Sequence, residues 1–550
     1  MRIYKARLVF PQDTVFIDRG YSKTPNWNIL NAAKMIWIIN LYFVILAVAE
    51  IVVVQAARNS GLMSPDLAGP NWGPGSECRR RLRRLQGGQG IEAVTPPDLH
   101  GEWVSSSCET RPGPSFLTRR YKFHSDHSFT FYQFYYSDNQ CQSPAYSYRV
   151  RGQLTIGGLT FTLDGANEAL YELEKVTLTV FQDRFAMMLA QQLNGSCPGM
   201  LEPNQPLAIF RKYIVLDNSR DVVQIDCTPG LGFTMNELQL IRQEVFERRV
   251  EDAGTVRRSE TLYLGDIHTD PAQMIIHRSK GYQTPLRKYD DDSEVSMNYC
   301  AVCQIVYNAR EHAPPILPRI QHENIALSGG WVSVHCEVRH IYFLTRHLIF
   351  FDNQTWEGHY HFYRDPLCQF PKYTVSVKGT RTAGEPSAIV EGATNFKFTS
   401  LAMYLTPQCD KEVERFNSKN VGCGRRGAWK VGRTLDVTSA GGCDVLGVNL
   451  PHMEFELIKT VPDPEEGLLL FTGQRPSDGQ TPNTESLRAT SFQSPLLHCS
   501  DEDPYEVQYT ENSGDTNSSC NRQVNIATSN IILLSVLVLV ITSAVRWTSL

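Results

Sequence analysis

The stretch Gly101-Glu102-Trp103-Val104-Ser105 returns later in the chain as Gly329-Gly330-Trp331-Val332-Ser333. Trp103 and Cys108 then match Trp331 and Cys336 at equal spacing, and Phe116-Leu117-Thr118-Arg119 matches Phe343-Leu344-Thr345-Arg346. One register carries the match through Cys141 and Cys368, Tyr146 and Tyr373, Gly152 and Gly379, to Gly165-Ala166 and Gly392-Ala393. More loosely, Cys197 and Cys227 match Cys423 and Cys443. An internal repeat of this size predicts one domain present twice.

The repeat divides the chain into a first unit over 98–303 and a second over 327–499, with a Pro-rich linker at 304–326. Residues 58–97 precede the first unit, and 500–525 read as a polar stalk. Within each unit, Phe129 to Tyr136, Tyr146 to Arg151 and Tyr373 to Lys378 alternate with period two, the pattern of half-buried strands. Residues 235–249 fit a helix on periodicity alone, but their counterpart alternates through Phe455 and Leu457, so both are expected to be strands. The fold expected is mainly β: two tandem homologous antiparallel sheets, each closed into a barrel or sandwich and stapled by disulfides.

The 14 cysteines are even in number and fit no zinc-finger spacing, which points to an oxidising compartment. As neighbours in sequence, Cys108 is expected to pair with Cys141 and Cys197 with Cys227. In the second unit Cys336 pairs with Cys368 and Cys423 with Cys443. Cys78, Cys300, Cys303, Cys409, Cys499 and Cys520 are left unassigned. Sequons at Asn194, Asn353 and Asn517 suit the same compartment.

Two apolar segments bracket the chain. Met35 to Ala57 follows a long polar stretch, and a start at Met35 would make it an ordinary signal peptide within a signal region at 1–57. Ile526 to Val545 is uncharged and long enough to span a bilayer, leaving a tail at 546–550. Both a single-pass type I anchor at the cell membrane and a glycolipid-anchor signal fit this end.

The net charge of −5 argues against a nucleic-acid partner. No HExxH, GxSxG or phosphate-cradling loop is present, so binding rather than catalysis is expected, without cofactor or metal. Asp266, His268 and Asp270 alternate in one segment, and His359 with His361 in another. Solvated strand-face side chains are the reading preferred there over metal ligands. Residues 78–85 (CRRRLRRL) suit a short docked helix with a basic outer face; acidic-glycan binding or processing after Arg84 are the alternatives.

The strand 129–136 is the most informative. Phe129, Phe131, Gln133 and Tyr135 on one face match Trp356, Gly358, Tyr360 and Phe362, a core face in both units. On the other face Tyr132, Phe134 and Tyr136 match His359, His361 and Tyr363. An aromatic second face needs cover. Either an acyl ligand lies against Tyr132, Phe134 and Tyr136, or the other domain packs on them.

The motifs G-E-W-V-S-S-S-C-E-T-R (101–111), L-G-D-I-H-T-D (264–270), P-P-I-L-P (314–318), T-W-E-G-H-Y (355–360) and G-Q-R-P-S-D-G (473–479) identify the chain as similar to the adenomatosis polyposis coli down-regulated family of membrane-anchored Wnt inhibitors. That resemblance implies two adjoining β-barrels, a lipid-accepting pocket in the first, and a single C-terminal span. The partners it implies are Wnt ligands and their low-density-lipoprotein-receptor-related co-receptor. The function expected is a tethered inhibitor that holds the Wnt acyl chain; the alternative is a structural or adhesion glycoprotein whose aromatic face only joins the barrels. A homodimer is compatible with the sequence. The chain departs from the family pattern in lacking a cysteine near Phe181, in the extra Cys409, and in a single cysteine at Cys227.

Overall fold

The computed structural model describes residues 77–86 and 91–499, apart from 161–162, 164, 203, 220–223, 250–255, 290–299, 320–326, 340–341, 419–421 and 464–466. Both apolar end segments, Asn517 and Cys520 lie outside the described residues. Among the described residues no helix is long and apolar enough to cross a membrane.

Eight strands of the first unit form a closed antiparallel ring. They are β1 (Gly101–Val104), β2 (Ser115–Phe123), β3 (Ser128–Tyr136), β4 (Pro144–Leu159), β5 (Asn167–Val180), β6 (Leu240–Arg249), β7 (Val256–Leu264) and β8 (Leu286–Tyr289). Neighbours pair in that order, and β8 returns to β1 through Lys288 opposite Trp103. The closing contact between β5 and β6 is short, Leu240 opposite Glu168 and Ile241 opposite Asn167.

The second unit repeats the ring. Its strands are β9 (Gly329–Ser333), β10 (Tyr342–Phe350), β11 (Thr355–Tyr363), β12 (Pro371–Arg381), β13 (Thr394–Pro407), β14 (His452–Asp463), β15 (Gly467–Thr472) and β16 (Leu496–Cys499). Here β16 returns to β9 through His498 opposite Trp331. Closure leaves no edge along the ring and fixes two faces, one inward and one outward, on every strand. The segment 235–249, expected as a strand, opens with a 3₁₀ turn at Asn236–Gln239 before β6 begins.

Local chemistry explains the shared register. The Asp138 carboxylate accepts the N–H groups of Gln140, Gln142 and Ser143, closing the turn after β3. Asp365 does the same for Gln369 and Phe370 after β11. Gly152 and Gly379 sit at matched bulges, where β4 meets β5 and β12 meets β13. A Cβ at either position would strike the carbonyl oxygen of the next strand, Glu172 or Thr399, so only glycine fits.

Trp103 and Trp331 are fully buried under the two rings, each donating its indole N–H to a backbone carbonyl, Leu99 and Leu327. A matched buried ion pair recurs in the two units: Arg119 with Glu109 at 2.8 Å, and Arg346 with Glu337 at 2.7 Å. Burial raises the Glu337 carboxyl, but Arg346 and Arg339 beside it reverse this and bring it down to about 2.

The barrels pack on one another about an approximate twofold axis. Phe116, Tyr136 and Cys141 of the first cluster with Val390, Ala393 and Leu457 of the second. Phe343, Tyr363 and Cys368 of the second cluster with Leu163, Ala166 and Leu240 of the first. Each group is the counterpart of the other, so the contact is isologous, as in a homodimer.

The helices add an exchange. Helix α1 (Glu77–Gln86) precedes the first ring but packs on β9 and β16 of the second, with Cys78 disulfide-bonded to Cys499 and Leu82 against Val332. Helices α2 (Asp183–Ser196) and α4 (Asp410–Asn417) follow β5 and β13. Helix α3 (Ala301–Tyr307) precedes the second ring but packs on β1, β2 and β8 of the first. Each barrel is thus covered by the helix that leads into the other. The linker after α3 is docked rather than free: Leu317 N–H donates to the Cys141 carbonyl, and the Tyr136 hydroxyl donates to that of Pro315.

Candidate functional site

The inward faces of the two rings are the places where a ligand could be enclosed. In the first, Tyr121 on β2 lies opposite Phe131 on β3, and their rings stack 4.0 Å apart. Phe129 stacks on Phe131 from the other side at 4.2 Å. The central layer is therefore filled by aromatic rings.

One layer on, Gln133 ties the interior together. Its amide donates to the Tyr121 hydroxyl at 2.6 Å and accepts from the Tyr135 hydroxyl at 3.0 Å. Glu237 reaches the same group and pairs with Arg111 at 3.4 Å. Burial and the nearby Glu237 charge both push the Tyr121 hydroxyl far up, so it stays protonated and serves as donor and acceptor.

The second ring repeats the register with different side chains. Leu348 lies opposite Gly358 where the first ring has Tyr121 opposite Phe131. Among the described residues no pair of stacked rings stands at those two positions; Trp356 and Tyr360 lean over Gly358 instead. Tyr360 takes the place of Gln133 in the next layer, and burial raises its hydroxyl to about 12. Arg475 takes the polar centre, 2.7 Å from Glu454 and 3.1 Å from Glu456. Partly buried Phe362, Val413, Leu446 and Leu450 line the end of this barrel near α4.

Tyr132, Phe134 and Tyr136, named from the sequence as lining an acyl pocket, point outward from β3. Phe134 and Tyr136 are buried and cluster with Cys303 and Val306 of α3, with Leu317 of the linker, and with Val390, Ala393 and Leu457 of the second barrel. Tyr132 is half-buried at the edge of that cluster and lies under the Arg149 guanidinium. The acyl-pocket assignment of these three side chains is corrected here: outward geometry gives their apolar surface a protein cover. An aromatic second face did require cover, and the polypeptide supplies it.

The histidines are not solvated strand-face groups either. His359 is buried and His361 half-buried, with Ser376 and Thr374 as hydrogen-bond partners at 2.9 and 3.1 Å. Burial lowers both, His361 to about 4 and His359 well below its usual value, with His347 beside it adding to the effect. They are neutral near pH 7. Asp266 accepts from His277 at 3.2 Å rather than joining His268 and Asp270, and among the described residues no three such groups are arranged to hold a metal.

Disulfides join Cys108 to Cys141, Cys197 to Cys227, Cys336 to Cys368 and Cys423 to Cys443. Cys300 and Cys303 are bonded to one another at the start of α3, and Cys409 is also oxidised. Asn353 is exposed on the turn into β11, whereas Asn194 is half-buried in α2 and accepts the Leu201 N–H. Residues 78–85 fall in α1, with Arg80 and Arg83 exposed.

The residues missed by sequence reasoning are Leu348, Arg111, Glu237 and Arg475. The contrast of Phe131 with Gly358 was visible in the aligned repeat. Its meaning depends on knowing which strand stands opposite. A family model described as Adenomatosis polyposis coli down-regulated 1 matches the chain twice, over residues 77–318 and over residues 319–507.

Proposed function

Because the chain belongs to the adenomatosis polyposis coli down-regulated 1 family, we propose that it is a cell-surface, membrane-tethered inhibitor of Wnt signalling that withholds Wnt by holding its acyl chain inside a barrel. The observation that carries this reading is the central layer of the second ring, where Leu348 faces Gly358 in place of the stacked Tyr121 and Phe131. An eight-stranded barrel has an interior wide enough for one small ligand when side chains do not fill it. With two rings fewer in the middle layer, Trp356, Tyr360 and Leu348 close over Gly358, and they are the side chains an acyl chain would displace on entering the second barrel. The acyl site proposed here is therefore the second barrel, and not the first barrel expected from the sequence.

Capture needs no catalysis. Each buried CH₂ of an acyl chain contributes about 0.8 kcal/mol. Wnt ligands are the partners proposed, with the low-density-lipoprotein-receptor-related co-receptor as a second contact. The structural or adhesion reading draws on the outward face of β3, where Phe134 and Tyr136 do help join the barrels. That role leaves the barrel interiors unaccounted for.

Binding of a fluorescent fatty acid to the full-length protein in neutral detergent tests the proposal. Leu348→Tyr restores a ring to the central layer and is expected to weaken binding at least tenfold with the melting transition retained. Gly358→Phe serves as a second variant; its side chain must displace Trp356 and Tyr360. Replacing Tyr132 with serine is expected to change nothing. Binding insensitive to both second-barrel variants would overturn the assignment.

A further inference from the structure

The outward face of β4 and β5 in the first barrel carries more cations than the acids paired with them. Arg149 and Arg151 are two residues apart on β4 and so share a face. Across the pair, Arg151 lies opposite Lys175 and Arg149 opposite Thr177. These four side chains line a cleft of about 120 Å³. Lys212, opposite Thr179 on the next strand, extends the row.

Acids are present but too few. Asp217 pairs with Lys175 at 2.8 Å, and Glu311 pairs with Lys212 at 2.7 Å and Arg149 at 3.6 Å. Glu174, farther along β5, is exposed and accepts from Gln153. Arg151 is exposed with no partner among the described residues, and the buried Nε of Arg149 has none either. Four cations thus face two paired acids, with guanidinium donors left over at the cleft.

The duplicated fold supplies the control. The positions of Arg149, Arg151, Lys175 and Thr177 are held in the second barrel by Ser376, Lys378, Ala402 and Tyr404, on the same register. Lys378 is occupied by Glu357 at 2.8 Å. The second ring forms the same ladder without this charge.

We propose that the cleft between Arg149, Arg151 and Lys175 binds the sulfate groups of a sulfated glycosaminoglycan chain. Guanidinium groups present fixed, paired donors to a tetrahedral oxyanion, and ammonium groups add point charge. Cations across β4, β5 and the following strand, about 5 Å apart from strand to strand, meet successive anionic groups of an extended polymer. Such a contact would hold the protein among cell-surface glycans. The inference rests on the cell-surface location proposed above and is independent of acyl capture.

Full-length protein in neutral detergent is applied to immobilised heparin and eluted with salt. Arg151→Ala combined with Lys175→Ala is expected to move elution to markedly lower salt, because counterion release scales with the contacts made. Arg80→Ala with Arg83→Ala, on the exposed face of α1, is expected to move it little. Fatty-acid binding is measured on the same samples and is expected to be unchanged. The proposal is overturned if the cleft variant elutes with wild type, or if both pairs shift elution equally. It is also overturned if desulfated heparin or anionic phospholipid vesicles bind as well as heparin does.

Discussion

Thr269 and Ser477 exchange backbone-to-side-chain hydrogen bonds across the junction of the two barrels. The Thr269 N–H donates to the Ser477 hydroxyl at 3.1 Å, and the Ser477 N–H donates to the Thr269 hydroxyl at 3.0 Å. The two residues are counterparts in the repeat, Gly265 to Asp270 answering Gly473 to Asp478. A reciprocal bond between counterparts lies on or near a twofold axis. One chain thus contains the interface of a symmetric dimer, its two halves joined and then free to diverge.

That interface should depend equally on matched residues. Leu457→Asp places an unpaired carboxylate in the cluster around Phe116 and Tyr136, and Leu240→Asp does so in the cluster around Phe343 and Tyr363. Each is expected to lower stability by about 3 kcal/mol or more. Chemical denaturation should show similar losses; a large loss from one and none from the other would contradict the twofold packing.

The exchanged helix offers a second test. The Cys78–Cys499 bond fastens α1 to the last strand of the second ring across a separation of 421 residues. Replacing both cysteines with serine is expected to cost about 2–4 kcal/mol. Trypsin should then cut first within the arginine-rich α1, read by N-terminal sequencing of the fragments. Unchanged cleavage would mean that the helix is held by packing alone.

Acid should weaken the protein in two windows. His361, lowered to about 4, binds a proton more readily in the unfolded chain, near 6.5. Its contribution is present above pH 6.5 and is lost as pH falls toward 4. Glu337, lowered to about 2 from 4.5, keeps its contribution above pH 4.5 and loses it as pH falls toward 2. His361→Gln should make the first window shallower, with the buried His359 supplying the remainder, and Glu337→Gln should flatten the second, in melting curves taken across pH. Arg346→Met leaves Glu337 with a poorer partner set and should cost about 3–5 kcal/mol at neutral pH.

Gly152 and Gly379 make a third matched pair. Alanine at either forces a Cβ into the neighbouring strand's carbonyl, Glu172 or Thr399. A loss of about 1–3 kcal/mol is expected at each, from overpacking against backbone that has little freedom to shift. Equal melting of both variants and wild type would show that the bulges yield.

Much of this was legible in the sequence because it is written in local pattern. Period-two alternation placed β3, β4 and β12, and the duplicated Trp103 and Trp331 fixed the repeat. The outward aromatic face of β3 reads as needing cover, but what covers it comes from α3, the linker and Val390, Ala393 and Leu457. Nothing near Phe134 in sequence specifies those neighbours. The exchange of α1 and α3 is likewise invisible in the sequence, since helices of ten and seven residues carry no mark of which barrel they will join. The histidines misled for the same reason: alternation assigns a face to His359 and His361, while burial is decided by what packs over that face.

The most direct test of the central claim compares full-length protein binding to acylated Wnt and to the same Wnt with its acyl chain removed. Tight binding of the acylated form, lost on deacylation and weakened at least tenfold by Leu348→Tyr, is the predicted result. Equal binding of both forms, unaffected by that substitution, would contradict acyl capture by the second barrel.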